Sequence, residues 1–99
     1  MSEQLLDRRP SAVTADEHLK LTHALLVTAA TVAGFTVSAD QRVGERDAAR
    51  LLGSAPAYLK TLRQEGKGPV SYQRGIGGCR ISYRLADLAG WIESARDDR

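Results

Sequence analysis

Between Glu45 and Glu65 the chain spells two short helices with only three residues between them. In the first, Glu45 to Leu52, the side chains of Ala48, Leu51 and Leu52 share one apolar face, acidic residues occupy the first turn where the helix dipole favours them, and Gly53 offers a stop. In the second, Pro56 suits an opening position, Leu59 and Leu62 lie at i and i+3 on the inward side, and Gly66 ends the pattern after Glu65. Two such helices joined by a tight, glycine-containing turn predict a helix-turn-helix, whose second helix is thin enough to lie in a major groove.

The chain beyond Glu65 extends that unit. Gly66-Lys67-Gly68-Pro69 breaks the helical period, and Val70 to Gln73 and Arg80 to Tyr83 read as two strands of a hairpin around Gly75-Ile76-Gly77-Gly78. Leu85, Leu88, Trp91, Ile92 and Ala95 mark a final amphipathic helix over about 85–96, with Trp91 the largest core contribution expected. Upstream, residues 1–13 show no period and read as a loose leader without an assigned role. Thr14 with Glu17 three residues on is a capping-box signature, and apolar positions from Leu19 to Ala33 predict a helix over about 15–33 that Gly34 closes. Phe35 to Val37 reads as a short extended connector before a polar turn at 38–42. The chain divides accordingly into the leader 1–13, the N-terminal helix and connector 14–42, and a domain over 43–99. Apolar residues wrap more than half of the N-terminal helix, so it must bury against the domain or against another copy of the chain.

Charge is unevenly placed. Residues 1–40 hold three cations against five anions, whereas the stretch from Arg50 to Arg84 holds seven cations against Glu65 alone, a candidate footprint for a polyanion or simply a solvated basic surface. The single Cys79 can form no internal disulfide and no zinc site, which points to a reducing, cytoplasmic setting. His18 and His23 fall on different helix faces and read as ordinary helix residues. The run from Ala24 to Val37 is too short and too broken by threonines to span a bilayer, so no membrane partner is expected. No nucleophile, base and orienting group stand out together, and neither an enzyme nor a cofactor is expected. The glycines at 75, 77 and 78 do not make a phosphate loop, because a strand rather than a helix N-terminus comes after them.

The order helix, helix, hairpin, helix is mainly α with a small β-hairpin, preceded by one further helix. With the residues Asp47-Ala48-Ala49-Arg50-Leu51-Leu52-Gly53, Pro56, Leu59, Leu62, Arg63 to Pro69, Arg80 to Arg84, Asp87-Leu88 and Trp91-Ile92, it resembles the winged helix-turn-helix domains of the MerR-like superfamily. The nearest likeness is to the excisionase and AlpA-like regulator group, over about residues 43–95. Two positions depart from that pattern: Gly44 stands where a Ser or Thr cap is usual, and Ser54-Ala55 where a Val-Ser pair is usual. An Ala at the cap costs about 1 kcal/mol unless Ser54 supplies the oxygen.

The resemblance implies that the second helix enters a major groove and that the hairpin, or wing, reaches an adjacent groove or the backbone. With Leu59 and Leu62 inward, the outward face is Ala57, Tyr58, Lys60, Thr61 and Gln64, with Arg63 at its edge; Tyr58 reads equally as a partly buried aromatic. Lys60 suits guanine, Gln64 adenine, and Tyr58 or Thr61 a phosphate or a thymine methyl. In the wing and its flanks the candidates are Lys67, Arg74, Gly77, Gly78, Arg80 and Arg84, with the arginines suited to a narrow A·T-rich minor groove. The partner expected is double-stranded DNA. An excisionase-like recombination directionality factor of a mobile element would bind and bend attachment-site DNA for an integrase. An AlpA-like transcriptional regulator would use the same surface on an operator. A protein-interaction adaptor would instead work through the N-terminal helix, which also offers a surface for self-association along DNA.

Overall fold

The computed structural model describes residues 14–95. The leader at 1–13 lies outside them, as does residue 96 at the end of the expected last helix. Among the described residues, helix α1 spans Ala15–Ala33, strand β1 Arg42–Gly44, helix α2 Glu45–Leu52, helix α3 Pro56–Gln64, strand β2 Ser82–Arg84 and helix α4 Leu85–Ser94.

Helix α1 begins as its capping box requires. The Thr14 hydroxyl accepts the Glu17 N–H at 3.1 Å, and the Glu17 carboxylate accepts the Thr14 N–H at 2.9 Å, so two otherwise unpaired backbone donors are satisfied reciprocally. One face of α1 then lies against α4, where Leu26 and Ala30 are buried and the Thr22 hydroxyl donates to Glu93 at 2.6 Å. These two residues join Val43, Ala48, Ala49, Leu59, Tyr83, Leu85, Leu88 and Ala89 in one buried cluster, so α1 shares the core of the residues after it. Phe35 to Val37 form no strand. Phe35 packs partly against the core with the Arg50 guanidinium 5.1 Å over its ring.

The sheet differs from the expected hairpin. β2 pairs antiparallel with β1, Val43 opposite Tyr83, while the stretch 70–73 contributes only one bridge, Tyr72 to Ser82. Pro69 is buried without an N–H to give, and at the ribbon's far end, Gln73 to Gly78, three glycines surround Ile76, the one β-branched residue there, and no aromatic side chain helps to hold a ladder. The ladder partner is instead the last residue of the polar turn and the two after it, Arg42-Val43-Gly44, which no local pattern marks as a strand. Each strand runs without a loop into a helix, β1 into α2 and β2 into α4, which brings both helix starts to the same small sheet.

Trp91 does not dominate the core. It is only half-buried, its indole N–H donating to the Lys67 carbonyl at 3.2 Å, whereas Tyr83 is the largest side chain removed completely from solvent. A residue at the centre of a two-stranded sheet flanked by helices is enclosed on every side, while one on the outer face of the last helix is not.

Candidate nucleic-acid interface

Gly53 makes the turn between α2 and α3. It takes a left-handed φ of 73°, and the N–H groups of Gly53 and Ser54 return to the carbonyls of Arg50 and Ala49, closing α2 and aiming the chain into α3. Neither α2 nor α3 has a side-chain cap. At α2, a side chain on Gly44 would put its Cβ 2.5 Å from the Cys79 sulfur, so a hydroxyl cap fits there only if the exposed Cys79 side chain turns aside. At α3, Ser54 does not replace the missing oxygen of Ala55. Ala55→Ser is therefore expected to raise stability by about 1 kcal/mol, read as a higher denaturant midpoint with unchanged slope.

The outward face of α3 is as expected for five of its six residues. Ala57, Lys60, Thr61 and Gln64 are exposed, and Tyr58 is 57% exposed rather than partly buried. Thr61 turns its hydroxyl proton back to the Ala57 carbonyl, which leaves its oxygen as an acceptor. Arg63 is the exception. Its guanidinium grips the Glu45 carboxylate at 2.8 and 3.2 Å, and the same carboxylate accepts the Tyr83 hydroxyl at 2.6 Å. Arg63 thus ties α3 to the start of α2 and to β2, and its guanidinium is taken up in holding α3 at its angle.

Burial works to raise the Glu45 carboxyl, but the Arg63 guanidinium and the Tyr83 hydroxyl outweigh it and hold the group below its ordinary value of 4.5. Burial, with Glu45 beside it, pushes the Tyr83 phenol up, and the Glu45 carboxylate holds the proton on Arg63 more firmly. A carboxyl with a depressed folded value stabilises fully above its unfolded value, and that stability is lost as pH falls through the folded one. Unfolding midpoints are thus expected to be flat from neutral pH down to about 5 and to fall below about 4.5. Glu45→Gln should be less stable at pH 7 and show a shallower acid decline, which thermal or urea unfolding from neutral to strongly acidic pH measures.

The wing is anchored from beneath. Arg42, unremarked in the sequence, donates to the Arg74 carbonyl at 2.9 Å and to the Ser82 hydroxyl at 2.8 Å, while its Nε pairs with Asp40 at 3.0 Å. Arg84 reaches the same Asp40 at 3.5 Å, and both guanidinium groups lie over the Tyr72 ring, whose hydroxyl donates to Asp87. The Ser38 hydroxyl, then Arg42, hold the Asp40 carboxyl down to about 2, so this bracket stays charged across the physiological range. Arg84, expected as a contact, is committed here. At the tip, Gly75 lies so close to the Cys79 carbonyl that any Cβ would overlap it, and Cys79 N–H closes on Ile76 O at 2.8 Å. The glycine serves a close approach of the ribbon to itself.

These supports leave a cleft of about 720 Å³ between the two helices and the ribbon, lined by Glu45, Arg46, Lys60, Arg63, Gln73, Gly78, Cys79, Arg80 and Ile81. Among the described residues, Arg46, Lys60 and Arg80 have no ion-pair partner, and Glu45 is already matched by Arg63, so the cleft carries an excess of positive charge. Of the expected residues it brings together Lys60, Arg63, Gly78 and Arg80. The rest of the set, Ala57, Tyr58, Thr61, Gln64, Lys67, Arg74, Gly77 and Arg84, are not among its lining; Gly77 faces Thr36, and Lys67 lies 3.9 Å from Glu65. Sequence reasoning missed Arg46 and Gln73. Their signal was available only from the strand that sets the start of α2 beside the ribbon.

No group of three or more His, Cys, Asp or Glu converges as a metal site among the described residues, and none of their helices is long and apolar enough to cross a membrane. Compared with family models, curated proteins and solved structures, the chain matches none.

Proposed function

We propose that this chain binds double-stranded DNA as an excisionase-like recombination directionality factor, α3 entering the major groove and the glycine ribbon reaching the neighbouring backbone or minor groove. The observation that carries the DNA reading is the cleft itself: Arg46 of α2, Lys60 of α3 and Arg80 of the ribbon, drawn from three separate segments, open onto one space. Cations arranged so from different elements suit a polyanion, and Arg46 and Arg80 would neutralise phosphates and release their counterions, which supplies affinity without sequence preference. Lys60 and Gln64 on the outward face of α3 supply donors and acceptors for base edges, and Tyr58 and Thr61 a phosphate or a thymine methyl. Arg74, exposed beside the tip, suits a narrow minor groove.

The protein bends the site and leaves strand exchange to an integrase; it is not itself an enzyme, needs no cofactor, and works in the cytoplasm of a bacterial host. The likeness of the residues from 43 to about 95 is to excisionases and AlpA-like regulators alike and does not separate excision from transcriptional control. Footprinting across an attachment region and its flanking promoter tests the reading. Tandem protected sites with enhanced cleavage between them are expected. A single protected promoter site would instead make the protein an AlpA-like regulator, and no protection at low salt would overturn DNA binding altogether.

A further inference from the structure

With one face of α1 docked on α4, the opposite face is left apolar. Leu21, Leu25 and Val32 are 60%, 68% and 82% exposed. With Thr28 they recur four, three and four residues apart, the spacing of a seam between paired helices. Ala24 and Ala29 flank that seam with small side chains, and from Leu21 to Ala33 the helix has no Asp, Glu, Lys or Arg. An uncharged apolar stripe of this length on a small protein marks an interaction surface.

We infer that α1 is the surface through which two copies of this chain pair, antiparallel and about a two-fold axis near the Leu26–Val27 step. The stripe complements itself in that direction: Leu21 meets Val32 of a second copy, and Leu25 meets Thr28, a large residue against a smaller one. Charge selects the direction. Asp16, Glu17 and Lys20 lie at the N-terminal end alone. Parallel pairing would bring the two acid pairs and the two positive helix ends together, whereas antiparallel pairing sets each N-terminal turn past the uncharged end of the other helix. A two-fold contact of this kind closes on itself and stops at two copies.

Its size sets its strength. Leu21, Ala24, Leu25, Thr28, Ala29 and Val32 make a far smaller patch than the roughly 20–30 residues a side of a standard interface. The pair is weak in free solution and forms fully only where something else holds two copies side by side, because local concentration then replaces buried area. If the chain binds DNA as proposed, that something is a duplex, and the two-fold axis calls for inverted half-sites within each of the tandem protected sites. This consequence rests on that reading, whereas the pairing is measured without DNA, so either can fail alone.

Sedimentation equilibrium of the full chain without DNA tests the pairing, with Leu25→Asp as the disrupting variant. The native chain is expected to be monomeric when dilute and increasingly dimeric as concentration rises towards the millimolar range, and Leu25→Asp to stay monomeric with its unfolding midpoint unchanged. On a Cys79→Ser background, Leu21→Cys and Val32→Cys chains should each resist oxidative cross-linking alone and form a disulfide dimer when mixed. A native chain that remains monomeric throughout would overturn the inference. So would a Leu25→Asp variant that lowers the unfolding midpoint without changing sedimentation, because the residues before Thr14 would then cover the stripe. Cross-linking of Leu21→Cys with itself would overturn the antiparallel arrangement.

Discussion

Replacing Tyr83 by alanine is expected to destabilise the protein by about 3–5 kcal/mol, the range for deleting a large buried ring. Its ring is enclosed between β1 and the helices, and no neighbour can collapse into the space without moving the two-stranded sheet. The deletion also removes the hydroxyl that donates to Glu45, so the carboxylate that anchors Arg63 loses a partner at the same time. Against the roughly 5–15 kcal/mol that holds a domain of this size together, that loss removes much of the margin. Tyr83→Phe separates the two contributions: it keeps the volume and should cost about 1 kcal/mol for the hydrogen bond. Trp91→Ala, at a half-buried position, should cost less than Tyr83→Ala. Urea unfolding of the three variants gives the order, and a Trp91 loss equal to that of Tyr83 would contradict the core described here.

Lys60→Ala or Gln64→Ala is expected to weaken binding to a specific duplex by about 1–3 kcal/mol, roughly five- to 150-fold, and to relax sequence choice. Arg80→Ala and Arg46→Ala should weaken binding to all sequences alike and each flatten the salt dependence by about one unit of slope. The division follows from position. Lys60 and Gln64 stand on α3, which under the proposed reading enters the major groove, whereas Arg46 and Arg80 flank it from α2 and the ribbon, where the sugar–phosphate backbone would pass. Equal losses on specific and random DNA for all four variants would contradict it. Arg63→Ala should act differently, lowering stability first, because it strands the part-buried Glu45 carboxylate.

Helices were legible where periodicity and punctuation agreed. The capping box at Thr14, the stop at Gly34, the short turn at Gly53 and the opening at Pro56 all fall where local chemistry puts them, because each depends on residues within a few positions. The sheet was not legible in the same way. Its pairing joins Arg42–Gly44 to Ser82–Arg84 across about forty residues, and three-residue strands leave too little alternation to register. The candidate site inherits that limit. The outward face of α3 followed from Leu59 and Leu62, but Arg63 needed Glu45 beside it to turn inward, and Arg46 needed β1 to stand at the cleft. Arg42 and Arg84 likewise became supports through a shared Asp40, a contact between segments that no local pattern announces.

The most direct test of the cleft as the face that meets DNA is a titration of the isotopically labelled protein with a short duplex, monitored through backbone amide chemical shifts. Shifts concentrated at Arg46, Lys60, Gln73 and Gly78 to Arg80, lessening as salt is raised and sparing the Leu21 to Val32 stripe, are the expected result. A duplex that binds while leaving those amides unmoved, or that perturbs only α1, would show that the cations of α3 and the ribbon do not share a nucleic-acid surface.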